Sequence, residues 1–306
     1  MIRLLAVMAI LPTATVAEVP RVMTDIAPIH SLTAQVMGEL GTPDVLLPPG
    51  ADPHDFALRP SDAGRLTEAD LVIWTGDALT PWLEDPLDTL APAATKLSLL
   101  ETEGWAKLEI REVKEIDAHD EDHDETDDHA HEHDHGAFDP HAWLDPTVAQ
   151  VWVAAIAQAL AAQDPANADI YEQNAAAATT SLAALEQQVA VKLAGLNNRP
   201  YILPHDGYQY FEARFDLSSA GALAGIDAET PGPAQVAALR DHVAEDSIVC
   251  VFSDAEIGDR WAKLVTEGTT AKTALIDGVG VGLTAGPDLY QAMITRLADS
   301  FESCLR

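Results

Sequence analysis

Positive charge is scarce in this chain. Its 306 residues carry 17 Lys and Arg against 50 Asp and Glu, a formal charge of −33 at pH 7. A nucleic-acid binder needs a basic face to displace the counterions of phosphate, so nucleic acid is excluded as a partner. Beyond the first residues there is no run of about 20 apolar residues, which excludes a bilayer-spanning helix in the processed chain. Aromatic residues are only 6% while alanine is plentiful, a composition suited to closely packed helices. The two cysteines, Cys250 and Cys304, have no second ligand close by, which argues against a zinc–thiolate centre. There is also no His-Glu-x-x-His, the helical pairing of zinc ligands and base in metalloproteases. What remains is an acidic chain, 47% hydrophobic, long enough for two lobes of ordinary domain size. Its acidity favours solubility and attracts cations.

The first residues read as an export signal. Arg3 supplies a positive start, Leu4 to Leu11 an apolar run too short to span a membrane, and Thr15-Val16-Ala17 a small-residue cleavage site. The alternative is a buried first element. No cysteine stands at the cleavage point, so a lipid anchor is not indicated. In an exported chain the pair Cys250 and Cys304 suggests a disulfide, two buried thiols being the alternative.

Along the chain, short apolar strands alternate with helical periodicity, the pattern of parallel βαβ units. Strands are expected at Val19–Thr24, Asp44–Leu47, Leu71–Trp74, Tyr201–Leu203, Ile248–Phe252 and Lys272–Ile276. Helices are expected at Ile29–Leu40, at Asp62–Ala69 with Ser61 as N-cap, at Thr147–Ala162, and then at Gly207–Phe215, Pro233–Val243, from Gly258, and Pro287–Leu305. After Asp164-Pro165 no proline or glycine intervenes before Gly195, and the stretch is rich in Ala, Glu, Gln and Leu, about 30 residues or about 45 Å of helix, long enough to bridge two lobes. One stretch differs in kind. From Glu112 to His135 it holds twelve acidic residues, one lysine and six histidines, His119, His123, His129, His131, His133 and His135. It has almost nothing to bury, so it is expected to be a disordered insertion, over about 112–136, that captures additional metal weakly.

Five histidines lie outside that tract. His30 and His242 fall within helical stretches and read as structural. His54, His141 and His205 each follow a proline, in Asp52-Pro53-His54, Asp139-Pro140-His141 and Leu203-Pro204-His205, near strand ends or helix starts. Ligands of βα folds bind at strand ends, and a proline stiffens the loop that carries the ligand. Three histidines in one setting point to a metal site; three loop histidines at capping positions are the bland alternative. Imidazole suits zinc, copper or nickel better than manganese. Asp277, after the strand Lys272–Ile276, is the candidate fourth ligand, or otherwise a turn residue before Gly278.

These motifs carry a resemblance. PPGADPHDFALRPSD within 47–62, DPHAWLDP at 139–146 and HDGYQYFEARFDL at 205–217 resemble the three metal-ligand motifs of the cluster A-I solute-binding proteins of ABC transporters. The acidic histidine-rich insertion and a histidine at 205 are similar to the zinc-specific branch, the ZnuA type, as is the cysteine pair. The resemblance implies an α/β fold of two βα lobes with parallel sheets, joined by one long rigid helix, with the metal in the cleft between them. It implies a signal peptide at 1–17, an N-terminal lobe at 18–163, a linking helix at 164–197 and a C-terminal lobe at 198–306. It implies His54, His141 and His205 as Zn2+ ligands in a monomeric periplasmic binding protein, not an enzyme, that delivers zinc to an ABC permease. Two departures stand out. Pro53 occupies the place where some zinc-specific members have a glutamate. Phe252-Ser253-Asp254-Ala255-Glu256-Ile257 replaces a glutamate followed by Pro-Gln-Phe, with Asp254 in a matching position. Other function classes remain. A zinc hydrolase would need a general base beside a ligand, and none is evident. A periplasmic zinc buffer or adhesin would act mainly through the acidic tract.

Overall fold

The computed structural model describes residues 19–111, 138–228, 232–254 and 258–306. The export signal and the acidic tract with its six histidines lie outside the described residues. The first lobe is built on a parallel sheet of β1 (Val22–Thr24), β2 (Asp44–Val45), β3 (Leu71–Trp74) and β4 (Thr95–Ser98), in the order β2-β1-β3-β4. Its helices are α1 (Ala27–Met37), α2 (Pro60–Thr67), α3 (Glu84–Leu90) and α4 (Pro146–Gln163). The helix α5 (Ala168–Leu193) follows. The second lobe repeats the plan with β5 (Tyr201–His205), β6 (Gly221–Ala224), β7 (Cys250–Asp254) and β8 (Lys272–Ile276), in the order β6-β5-β7-β8. Its helices are α6 (Gln209–Phe215), α7 (Pro233–Glu245), α8 (Arg260–Thr266) and α9 (Leu289–Leu305).

The strongest strand signals are central strands. Leu71, Val72, Ile73 and Trp74 are all buried, as an unbroken apolar run in a two-faced parallel sheet should be. Sequence patterning missed β4 and β6. The first is an exposed edge with the sequence Thr-Lys-Leu-Ser, and the second is Gly-Ala-Leu-Ala, with little β-propensity of its own. Ser61 is not the N-cap of α2. The helix starts two residues earlier than expected, at Pro60, whose fixed φ suits the first helical position, and Asp62 accepts the N–H of Arg59. The expected long helix divides. Pro165–Asn167 form a 3₁₀ turn, and α5 proper has 26 residues, about 39 Å. Gly195, at φ 81°, ends the segment with a conformation that favours glycine.

The buried residues of α5 are Tyr171, Ala175, Ala178, Leu182, Leu185, Val189 and Leu193, one stripe at steps of three and four. The helix lies against α1 and α4 of the first lobe and against α6 and α9 of the second. One hydrophobic cluster therefore runs without a break from Val22 to Leu305, with members from both sheets. A smaller cluster under α7 and α8, including Leu223, Leu239, Val243 and Val265, is confined to the second lobe. Among the described residues, no helix is long and apolar enough to cross a membrane.

Cys250, the first residue of β7, is disulfide-bonded to Cys304 in α9 across 54 positions. A closed loop of that length is worth about 4 kcal/mol in the chain-entropy account. Replacing both cysteines with alanine is expected to lower unfolding free energy by 2–4 kcal/mol, roughly, in a urea titration. Native protein treated with an alkylating reagent should gain no mass.

Candidate metal centre

The centre forms where the carboxyl ends of the second sheet meet loops of the first lobe. In both sheets the chain leaves the two middle strands in opposite directions, and that switch point is where βα proteins place their ligands. In the second lobe it is occupied by His205, the last residue of β5, beside Asp254, the last of β7. His205 Nδ1 lies 2.9 Å from Asp254 Oδ2. In the first lobe the matching place is shut. Asp25, just past β1, accepts the N–H of Ile26 at 2.8 Å and the N–H of Thr75, just past β3, at 2.6 Å. Burial pushes the Asp25 carboxyl up to about 6, against the opposing pull of these donors.

The first lobe instead supplies candidate ligands from two loops of one construction. In Asp52-Pro53-His54, Asp52 Oδ1 accepts the N–H of His54 at 2.8 Å; in Asp139-Pro140-His141, Asp139 Oδ1 accepts the N–H of His141 at 2.9 Å. Each aspartate closes a local turn around the proline. Asp139 also receives the ring of His141, Nδ1 to Oδ1 at 2.8 Å. His54 Nδ1 stands 3.9 Å from Asp227 of the second lobe.

An ionised carboxylate can only accept, so the protons of His141 and His205 are on Nδ1 and the lone pairs on Nε2. Those lone pairs converge. His54 Nε2 and His141 Nε2 are 3.3 Å apart. Two ligands on one tetrahedral zinc, each at about 2.0–2.1 Å, stand about 3.3–3.4 Å apart. The rings of His141 and His205 have centroids 5.5 Å apart. Gly207 marks the space between them. A Cβ built there would lie 2.2 Å from His205 Nε2 and 2.8 Å from His141 Nε2, close to where a shared metal would sit. The cavity, lined also by Trp143, Tyr208 and Asp277, has room for about 10 Å³, the size of one water-sized body. A space of that size fits a single ion. Among the described residues no group of three His, Cys, Asp or Glu side chains is already placed to hold a metal ion. The rings make an open cup, with His141 shared between the two close pairs.

Asp277 lines the same cavity. Its Oδ1 accepts the N–H groups of Val279 and Gly280, at 3.0 and 2.8 Å, and its Oδ2 lies 4.0 Å from Arg296. Burial raises the carboxyl above its ordinary range. His30 and His242 stand elsewhere. His30 Nε2 is 3.0 Å from the carbonyl of Pro43, and His242 Nδ1 pairs with Asp246 at 2.6 Å along α7. Sequence reading overlooked the backing carboxylates Asp139 and Asp227. Only the first had a visible signal, the Asp-Pro-His string that recurs at 52–54 and 139–141.

The family described as the zinc-uptake complex component A, periplasmic, matches residues 22–304. The chain is 37% identical over 302 residues to the high-affinity zinc uptake system protein ZnuA of Paracoccus denitrificans, covering 94% of this chain and 93% of the relative. It is 35% identical over 304 residues to the protein of that name from Brucella abortus, covering 93% and 91%. Among solved structures, the periplasmic zinc-binding protein TroA of Treponema pallidum superposes with a TM-score of 0.77 at 20% identity, covering 94% of this chain and 99% of that one. That likeness carries the two-lobed fold.

Gly207→Ala tests the cup directly. The backbone at 207 is not in the left-handed region, so only space opposes the methyl group. The methyl group forces the buried His205 and His141 rings to shift, so the metal-free variant is expected to melt somewhat lower than the parent while staying folded. Its zinc affinity, by calorimetric titration, should fall by more than the roughly 100-fold that loss of a supporting hydrogen bond can cost.

Proposed function

The chain belongs to the ZnuA family of periplasmic zinc-uptake components, and on that premise we propose that His54, His141 and His205 hold one zinc ion between the lobes, with Asp277 or water as fourth ligand, for delivery to the permease of an ABC transporter. The observation that carries this reading is the convergence of the histidine Nε2 atoms on one ion-sized space, while carboxylates occupy Nδ1 of His141 and His205. Three imidazoles and one carboxylate form a nitrogen-rich set that suits zinc better than manganese.

The lobes are taken as residues 18–163 and 198–306, with 164–197 as the linking helix, and the protein as a periplasmic monomer exported by its first 17 residues. Zinc is cargo in this reading, not a catalyst. The ion must be captured from dilute solution and then released, so preorganised rings offset part of the ordering cost of capture. Each imidazole must be unprotonated to bind, so acid weakens the hold. Purified zinc-loaded protein is expected to hydrolyse neither esters nor peptides.

Alanine at any one of positions 54, 141 or 205 should abolish the tight site in a zinc titration that gives one equivalent for the parent protein. Asp254→Asn, which leaves His205 in place but disturbs its Nδ1 partner, should weaken binding roughly 10- to 100-fold. A His205→Ala protein with parental affinity would remove the assignment.

The acidic tract is read as an auxiliary collector. Its interleaved histidines and carboxylates offer metal ligands with almost no apolar residues to preorganise them, so its sites should be weak. Deleting residues 112–136 should leave one tight site, lower total zinc stoichiometry and slow zinc acquisition when the metal is scarce.

A further inference from the structure

His141 and His205, with ring centroids 5.5 Å apart, come from different lobes, so their spacing depends on what holds the lobes together at the seam. Beyond the shared core, side chains bridge it beside the ligands. Arg214 of α6 forms a two-pronged pair with Asp145, at 2.9 and 2.8 Å, four residues after His141. Trp143 Nε1 donates to the carbonyl of Gly278 at 2.7 Å, and Tyr290 donates to the carbonyl of Trp143 at 2.6 Å.

Arg111 makes the most centrally placed bridge. It belongs to a first-lobe segment fixed by the pairing of Glu109 with Phe138 and by the N–H of Leu108, which donates to Tyr210 Oη at 2.9 Å. Its Nε donates to both oxygens of Asp206, at 2.8 and 3.1 Å, and its Nη2 to Glu212 Oε2 at 2.6 Å. Asp206 directly follows His205. The side chains of Asp206 and Glu212 are only 3% and 2% exposed. The other oxygen of Glu212 accepts Tyr201 Oη–H at 2.5 Å and the N–H of Ser219 at 2.7 Å. One guanidinium thus ties the residue next to a second-lobe histidine, and the helix after it, to the first lobe. A lysine could not span both carboxylates, because it lacks the planar fork.

We propose that Arg111 is a positioning residue for the metal: it fixes His205 against His141 and so sets how long a zinc ion is held. This rests on reading those two histidines as zinc ligands. Without Arg111, two buried carboxylates stand at the seam without their shared cation, water and repulsion open it, and the spacing of the Nε2 atoms relaxes. Simple electrostatics gives the opposite sign. Removing a positive charge near a cation site should favour the cation. The direction of the change therefore separates positioning from charge.

The test measures zinc release from the full-length protein into a chelator by stopped flow, together with affinity by calorimetry. Arg111→Gln is expected to release zinc roughly 10-fold faster or more, the cost typical of lost ligand support, with a matching loss of affinity and no slowing of capture. Arg111→Lys should not restore slow release. The triple variant Arg111→Met, Asp206→Asn, Glu212→Gln leaves no stranded charge and should fold; it too should release zinc fast. If only the triple variant folds, its release rate decides. Leu239→Ala, in the cluster confined to the second lobe, should lower the melting temperature without changing release. Parental or slower release from the Arg111 variants overturns the proposal, as does fast release from Leu239→Ala at an equal loss of melting temperature. His141→Ala is run alongside. If it keeps tight binding, the reading of the site itself fails; if it loses binding while the Arg111 variants do not, only the role of Arg111 fails.

Discussion

Everything about this cleft follows from the direction in which three imidazole rings point. A histidine has two nitrogens, and the one that carries the proton cannot bind a metal. At His141 and His205 a carboxylate on Nδ1 removes that ambiguity and turns the Nε2 lone pair toward the common space. His54 Nε2 and His141 Nε2 stand 3.3 Å apart, in hydrogen-bond contact, a separation that two ligands of one tetrahedral ion would also have.

That packing is supplied by the way the lobes are joined. Two domains tied by a flexible linker would close around a ligand by a hinge. Here a single apolar cluster runs through α1, α4, α5 and α9 and includes residues from both sheets. Opening such a seam exposes apolar area at about 25 cal/mol per Å², so wide excursions are costly. Small displacements at the loops around His54 and Asp277 cost less, because those segments lie at the rim of the cluster.

The two halves share one strand order and use it differently. At the first switch point Asp25 spends its carboxylate on the backbone of Ile26 and Thr75, which closes the ends of β1 and β3. At the second, a histidine and an aspartate occupy the corresponding strand ends, buried and paired with each other at 2.9 Å. A repeated scaffold therefore gives one end closed by Asp25 and one end that carries a candidate ligand. The first lobe contributes its candidate ligands from loops instead, where Asp-Pro-His turns hold the backbone of His54 and His141.

Much of this was legible in the chain. The buried central strand Leu71–Trp74 and the exposed edge strand Lys272–Ile276 were both found at their observed limits, because a short apolar or β-prone run between turn residues is a local signal. The three Pro-His loops were legible for the same reason, and so was the contrast between the acidic tract and its flanks. The edge strand β4 and the small-residue strand β6 were not, since hydrogen bonding to neighbours already in place makes them strands. Likewise, nothing near His205 in sequence announces Asp254, 49 positions away, or the bridge from Arg111 to Asp206, 95 positions long. Sequence by itself determined the elements, the candidate ligands and the cation-attracting charge, because each depends on neighbours within a few residues or on composition. Tertiary structure alone decided which carboxylate backs each ring and how far apart the rings stand. Those depend on strand register and on the seam between lobes, and both exist only once distant parts of the chain have packed.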